Sequence, residues 1–350
     1  MNCNNKMTEM TKKWRKQYRW ATAVWAMFLA AAISPVTYSA SESELAENEC
    51  LLEAMATASP DTTLAELRRS CAQLTSEVIT PTSSDLSVID RAIRSERQSL
   101  QRSYTLTPHK PNYVLPYTHN SNPNQYEGIV DLGNESIDHS ETEFQISLKF
   151  PIAQGIFDEN TDLLVAYTSR SWWQVYNDAS APFRETNYEP EIFLRHYGGP
   201  KILGAQVALW DLGFVHESNG RSDLFSDNIS RSWNRIYGQA VFNFGNVGVA
   251  LEAWYRIPED DEDDDNPDLY QYRGYGQIRA AWTPNRNTFT AMYRPGTKED
   301  GLELTWSYPL NDHIRIYSKY YNGYGESLID YNHRVERIGI GFAINDFLQN

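Results

Sequence analysis

From about residue 111 the chain settles into a two-residue alternation of apolar and polar positions, the period of a strand that buries one face. Runs with this period predict strands at Tyr113–Tyr117, Glu143–Ile152, Leu163–Val175, Tyr188–Tyr197, Leu203–Glu217, Arg231–Phe244, Val247–Arg256, Tyr270–Trp282, Asn287–Tyr293, Leu302–Pro309, Ile314–Tyr321 and Arg334–Ile344. The links between them nearly alternate in length. FGNV (244–247), PNRN (284–287) and PLNDH (309–313) are tight, whereas the links near 176–187, 218–231, 257–269 and 322–333 are long. An even strand count with alternating connections predicts an all-β fold, a twelve-stranded antiparallel transmembrane β-barrel with short periplasmic turns and long external loops. A soluble β-sandwich competes with it, but has no need of alternating loop lengths.

The pattern before residue 111 is different. Lys12, Lys13, Arg15, Lys16 and Arg19 precede an apolar run from Trp20 to Ile33, then Pro35 and the small residues Ser39 and Ala40. This is the order of a secretory signal peptide over 1–40, with an uncleaved anchor helix as the other reading. Residues 41–110 carry few aromatics. Leu51, Leu52 and Met55, then Leu64 and Leu67, recur at helical spacing, and Ser41–Glu44 and Thr63–Glu66 fit the capping-box spacing. This predicts a small periplasmic helical extension, with a third helical stretch, polar and suited to a linker, from Val88 to Leu100 and the barrel domain at 111–350. Cys3 leaves with the signal, and Cys50 and Cys71 remain as a pair suited to an oxidising compartment. A bridge between them would contribute roughly 3 kcal/mol by shortening a loop of about 20 residues.

Composition agrees with a membrane site. The chain holds 22 Tyr and 10 Trp, residues that favour the membrane–water interface. Its formal net charge of -15 argues against nucleic acid as a partner. No run of 18 apolar residues follows the signal, so a span would have to be made by strands.

The fifth predicted strand ends in chemistry. Ala208, Trp210, Leu212 and Phe214 form one row, and His216 and Ser218 continue it. Asp211 and Glu217 lie on the other. The apolar row predicts a lipid-facing surface, which puts His216 and Ser218 at its outer rim. On the sixth strand Ile236, Ala240, Phe242 and Phe244 share a face with Asn234 and Ser232, and hairpin pairing brings Asn234 beside His216. Serine needs a neighbouring base, and the base a third group that orients it. A nucleophile at the acyl-chain boundary points to an ester of a membrane lipid. H-x-S spacing is equally that of an interfacial belt of polar residues, and both readings stand on spacing alone. The G-x-S-x-G signature of soluble lipases is absent here.

Longer motifs discriminate. HESNGRSD (216–223) followed by SRSWNR (230–235), with SWWQ (171–174), APFRETNYEP (181–190), DNPD (265–268) and YGESLIDYN (324–332), resembles bacterial outer membrane phospholipase A over about 113–350. The resemblance implies calcium-dependent hydrolysis of acyl esters of glycerophospholipids and lysophospholipids at the outer membrane, with a homodimer as the active form. It implies Ser218 as nucleophile, His216 as base, Asn234 as orienting residue and the Gly220 amide as oxyanion donor. For Ca2+ it implies the Arg221 carbonyl, the Ser230 hydroxyl and Ser180 of the partner subunit, with a second position at Asp265 beside Asp223. Two departures stand out. LFSDNI lengthens the link from Asp223 to Ser230, so Ser226 competes with Ser230 for the calcium role. The position that relatives use for a polar dimer contact falls near Ser169, not a glutamine. The acidic run Glu259–Asp265 lacks the spacing of an EF-hand and reads as a solvated loop, with Asp265 alone supported by a motif. Two other functions remain: a passive porin or structural barrel, and a lipid A-modifying esterase with a similar His–Ser pair.

Overall fold

The computed structural model describes residues 50–51, 54–55, 63, 66–69, 71, 87–100, 105–125, 136–178, 182–202, 204–221, 229–260 and 264–345. The expected signal peptide, Ser41–Glu44 and Leu52 and Leu64 lie outside them.

The alternating runs form twelve long strands. They are β1 (Tyr113–Asn120), β2 (Ser140–Ala153), β3 (Thr161–Trp173), β4 (Phe183–Tyr197), β5 (Ala205–Ser218) and β6 (Ser232–Phe244). The second half comprises β7 (Val247–Ile257), β8 (Gly276–Trp282), β9 (Thr288–Pro295), β10 (Asp300–Pro309), β11 (Arg315–Gly323) and β12 (Val335–Ala343). Each pairs antiparallel with its neighbours in sequence, and β12 returns to pair with β1, with Ile338 opposite His119, so the sheet closes on itself. One expected strand is shorter than its pattern suggested. Tyr270–Arg273 is a turn of helix, α2, and β8 starts only at Gly276.

The barrel is apolar outside and ionic inside. Leu212, Phe214, Ile236, Leu251, Ile278, Phe289, Leu304, Ile338 and Ile340 are exposed on the outer face, as a surface solvated by lipid requires. Inward-pointing charges would be costly if unpaired, and many of them are paired. Lys319 Nζ lies 2.6 Å from Glu143 and 2.9 Å from Glu326, Arg337 binds Glu141 and Glu326, and Arg195 holds Asp211 through two bonds of 2.8 and 2.7 Å.

The third expected helical stretch is helix α1 (Val88–Leu100), and it belongs to the same compact unit as the strands, which takes in Ser87 onward. Ser87 caps it by accepting from Asp90 N at 3.1 Å. The helix sits at the short-turn end of the lumen. Val88 N donates to Gly245 O in the β6–β7 turn, and Arg97 reaches Asn160 in the β2–β3 turn. It buries Ile89, Leu100 and Glu96, and Glu96 receives Lys149 and Arg195, each at 2.7 Å. Burial alone would raise the Glu96 carboxyl. The two cations outweigh it and hold the group at about 2. In the separate unit 26–86, Cys50 and Cys71 form a disulfide with Cα atoms 5.7 Å apart, and Thr63 and Glu66 make the reciprocal capping bonds their spacing suggested.

Candidate active site

The site stands where β5 and β6 reach the long-loop end. Antiparallel pairing puts His216 opposite Asn234 and Ser218 opposite Ser232. Along β5, Asp211, Gly213, Val215 and Glu217 are buried towards the lumen, while Leu212 and Phe214 are exposed to the outside. His216 and Ser218 continue that outer row and are half-buried, as is Asn234. His216 Nδ1 lies 2.9 Å from Asn234 Oδ1. Ser218 follows two residues on along the same face, and its hydroxyl makes no hydrogen bond among the described residues.

The chain then turns sharply. Gly220 has φ of 63°, a left-handed conformation that glycine adopts without penalty. A Cβ there would also stand 3.1 Å from the Tyr188 ring, which leans over the turn from β4. Asn219, buried beneath, closes the neck of the loop. Its Oδ1 accepts from Arg221 N at 3.2 Å and Arg231 N at 3.0 Å, and its Nδ2 donates to Ile229 O at 2.8 Å. The Arg221 guanidinium is tied to the start of β4 through Phe183 O, at 3.2 Å, and Arg184 O.

Of the residues expected to hold calcium, Ser230 and Asp265 come together, with Ser230 Oγ donating to Asp265 Oδ2 at 2.8 Å. Asn266 beside them is fully buried, and neither polar atom of its side chain has a partner. Arg256 braces this corner through Asp264 Oδ1 at 2.5 Å and the Asn266 carbonyl at 2.9 Å. The donors gathered here are carboxylate, hydroxyl and amide oxygens, with the Arg221 carbonyl at the other end of the loop. That set suits a hard cation such as Ca2+, and the orphaned Asn266 amide marks a polar corner. Ser180, Asp223 and Ser226 lie outside the described residues.

Comparison with known proteins gives the family. The family model described as Phospholipase A1 matches residues 89–344. The chain belongs to the phospholipase A1 family. The family's Escherichia coli K12 member is 40% identical over 253 residues, 71% of this chain and 84% of that one, and the Salmonella typhimurium member is 39% identical over 252 residues. Among solved structures, outer membrane phospholipase A from Escherichia coli superposes with a TM-score of 0.63 at 38% identity, covering 70% of this chain and all of that one. A Salmonella typhi outer membrane phospholipase, solved as a dimer with bound calcium, gives 0.64 at 37%, covering 71% and 96%. The Escherichia coli protein carrying an active-site asparagine-to-alanine change gives 0.65 at 38%, covering 74% and 98%. As a phospholipase A1, this chain is an enzyme and an integral β-barrel of the bacterial outer membrane.

Two residues of the site carried no signal in the sequence. Asn219 sits inside the recognised motif, but nothing in its spacing says that its side chain closes the loop. Glu259 was one carboxylate in an acidic run, and it accepts a 2.9 Å hydrogen bond from Asn234 Nδ2.

Proposed function

We propose that the chain hydrolyses acyl ester bonds of glycerophospholipids and lysophospholipids, on either chain of the diacyl lipid, through Ser218, His216 and Asn234. The observation that carries this is the 2.9 Å contact of His216 Nδ1 with Asn234 Oδ1 on the outward, lipid-facing row. The Escherichia coli relative has an asparagine in its active site, which supports a place for Asn234 in this one. An acyl chain lying along Leu212 and Phe214 would bring its ester to the height of Ser218. His216 Nε2 takes the proton from Ser218 Oγ as the oxygen attacks the carbonyl carbon. The protonated ring then gives that proton to the departing glycerol oxygen, leaving an acyl-enzyme that water resolves by the same relay. The Gly220 amide donates to the developing oxyanion. Ca2+ would be held by the Arg221 carbonyl, Ser230 and Ser180 of the partner subunit, with a further position at Asp265. When bound, it would supply positive charge at the oxyanion. The Salmonella typhi relative, a calcium-bound dimer, supports a homodimer as the active form.

Fatty-acid release from phospholipid in detergent micelles tests the proposal. Ser218→Ala and His216→Ala should each lower kcat by about 10^3-fold or more. Asn234→Ala should cost less, on the order of 10–10^2-fold, because the ring keeps its base and loses only its orientation. Chelation should abolish release and added Ca2+ restore it. Release that survives both chelation and Ser218→Ala would leave a passive barrel with a contaminating lipase.

A further inference from the structure

We propose that Glu259 is a positioning residue of this site: its carboxylate decides which end of the Asn234 amide faces His216, and so which ring nitrogen is left to take a proton. The proposal rests on the Ser218–His216–Asn234 reading.

Asn234 stands between two groups. Its Oδ1 is 2.9 Å from His216 Nδ1, and its Nδ2 is 2.9 Å from Glu259 Oε1. A side-chain amide turned by half a rotation exchanges oxygen for nitrogen, and a neutral imidazole carries its hydrogen on either nitrogen. An asparagine–histidine pair alone therefore has two self-consistent arrangements. In one, Nδ1–H donates to Oδ1 and Nε2 keeps its lone pair. In the other, Nδ2 donates to a bare Nδ1 and the hydrogen sits on Nε2, where it blocks uptake of the serine proton. An orienting carboxylate has no such ambiguity, because it only accepts. Asparagine needs a third group to choose for it, and the Glu259 carboxylate, an acceptor of the Asn234 Nδ2 hydrogen bond, does so. Nδ2 must face Glu259, Oδ1 then faces the ring, and Nδ1 carries the hydrogen.

The placement of Glu259 follows from β7. Ile257 pairs with Asn234 across the sheet, and Glu259 comes two residues later. It is half-buried between exposed Pro258 and Asp260. Its second oxygen lies 4.0 Å from Arg256 Nη2, the group that also grips Asp264. One member of the acidic run is thus drawn in against the triad.

Glu259→Gln is the sharpest test, because glutamine has nearly the same shape but can donate or accept. His216 ring nitrogens are read by 15N NMR of histidine-labelled protein in micelles, on the neutral ring. His216→Ala assigns the signals. The expected result is the Nδ1–H form in the native protein and a mixture of both forms in Glu259→Gln and Glu259→Ala. In both variants kcat should fall by roughly two- to tenfold at unchanged KM, as part of the population is trapped with hydrogen on Nε2. A ring that stays wholly Nδ1–H with kcat unchanged in both variants would overturn the proposal. Ser218→Ala separates the two levels. If it keeps its activity, the triad reading fails with it. If it is inactive while the Glu259 variants are silent, only the positioning role falls.

Discussion

Gly220 is the residue at which backbone conformation and chemistry meet most closely. It follows Asn219 just past the Ser218 end of β5, in a left-handed conformation and against the Tyr188 ring. An alanine there would meet about 1–2 kcal/mol of backbone strain, and its methyl group would have to push the ring aside. Gly220→Ala should therefore lower kcat by about 10-fold or more through a displaced oxyanion donor. The barrel should stay folded in water and lose only about 1–2 kcal/mol, a modest fall in its urea midpoint. Steady-state kinetics beside a urea melt checks this, and an unchanged kcat would remove Gly220 from the oxyanion site. Asn219 bears on the same turn from below. Its three bonds join Arg221, Ile229 and Arg231, which fixes both ends of a loop lengthened by LFSDNI.

At the scale of elements, the β5–β6 hairpin was readable because strand parity is a strict rule. Once Phe214 and Ile236 are assigned to the outside, His216 and Asn234 follow, and antiparallel pairing sets them opposite each other. Helix α1 was not readable as part of the barrel. Its one decisive buried group, Glu96, is an ordinary helix glutamate until Lys149 and Arg195 arrive from β2 and β4, and no local pattern records so distant a pairing. Tyr270–Arg273 misled for a related reason, since aromatic residues suit a strand until the chain must turn. Glu259 shared its signal with six neighbouring acidic positions. The α1 ion pairs also make a prediction. Glu96 is depressed to about 2 in the folded state against about 4.5 unfolded. Its contribution is thus complete above the unfolded value and is lost as pH falls through the folded one. Glu96→Ala leaves Lys149 and Arg195 short of a partner and should cost about 3–5 kcal/mol at pH 7. Urea melts should show the native and variant curves converging as pH drops from 5 to 2. A constant gap would mean that the helix is held by its apolar face alone.

The whole molecule is turned inside out relative to a soluble enzyme. Its lumen holds paired charges around a cavity of about 270 Å3 and carries α1 at its short-turn end, so the proposed catalytic surface is the outer wall. On that proposal substrate would come from the membrane itself, with acyl chains already aligned along the strands. Reactivity should follow that geometry. A fluorophosphonate with a long alkyl chain, supplied in micelles, should form a covalent adduct at the triad serine, located by peptide mass spectrometry. The proposed lipid-facing triad predicts stoichiometric labelling of Ser218 and no other serine, lost in His216→Ala and slowed in Asn234→Ala. Labelling at a different serine, or equal labelling of Ser218 without His216, would contradict it.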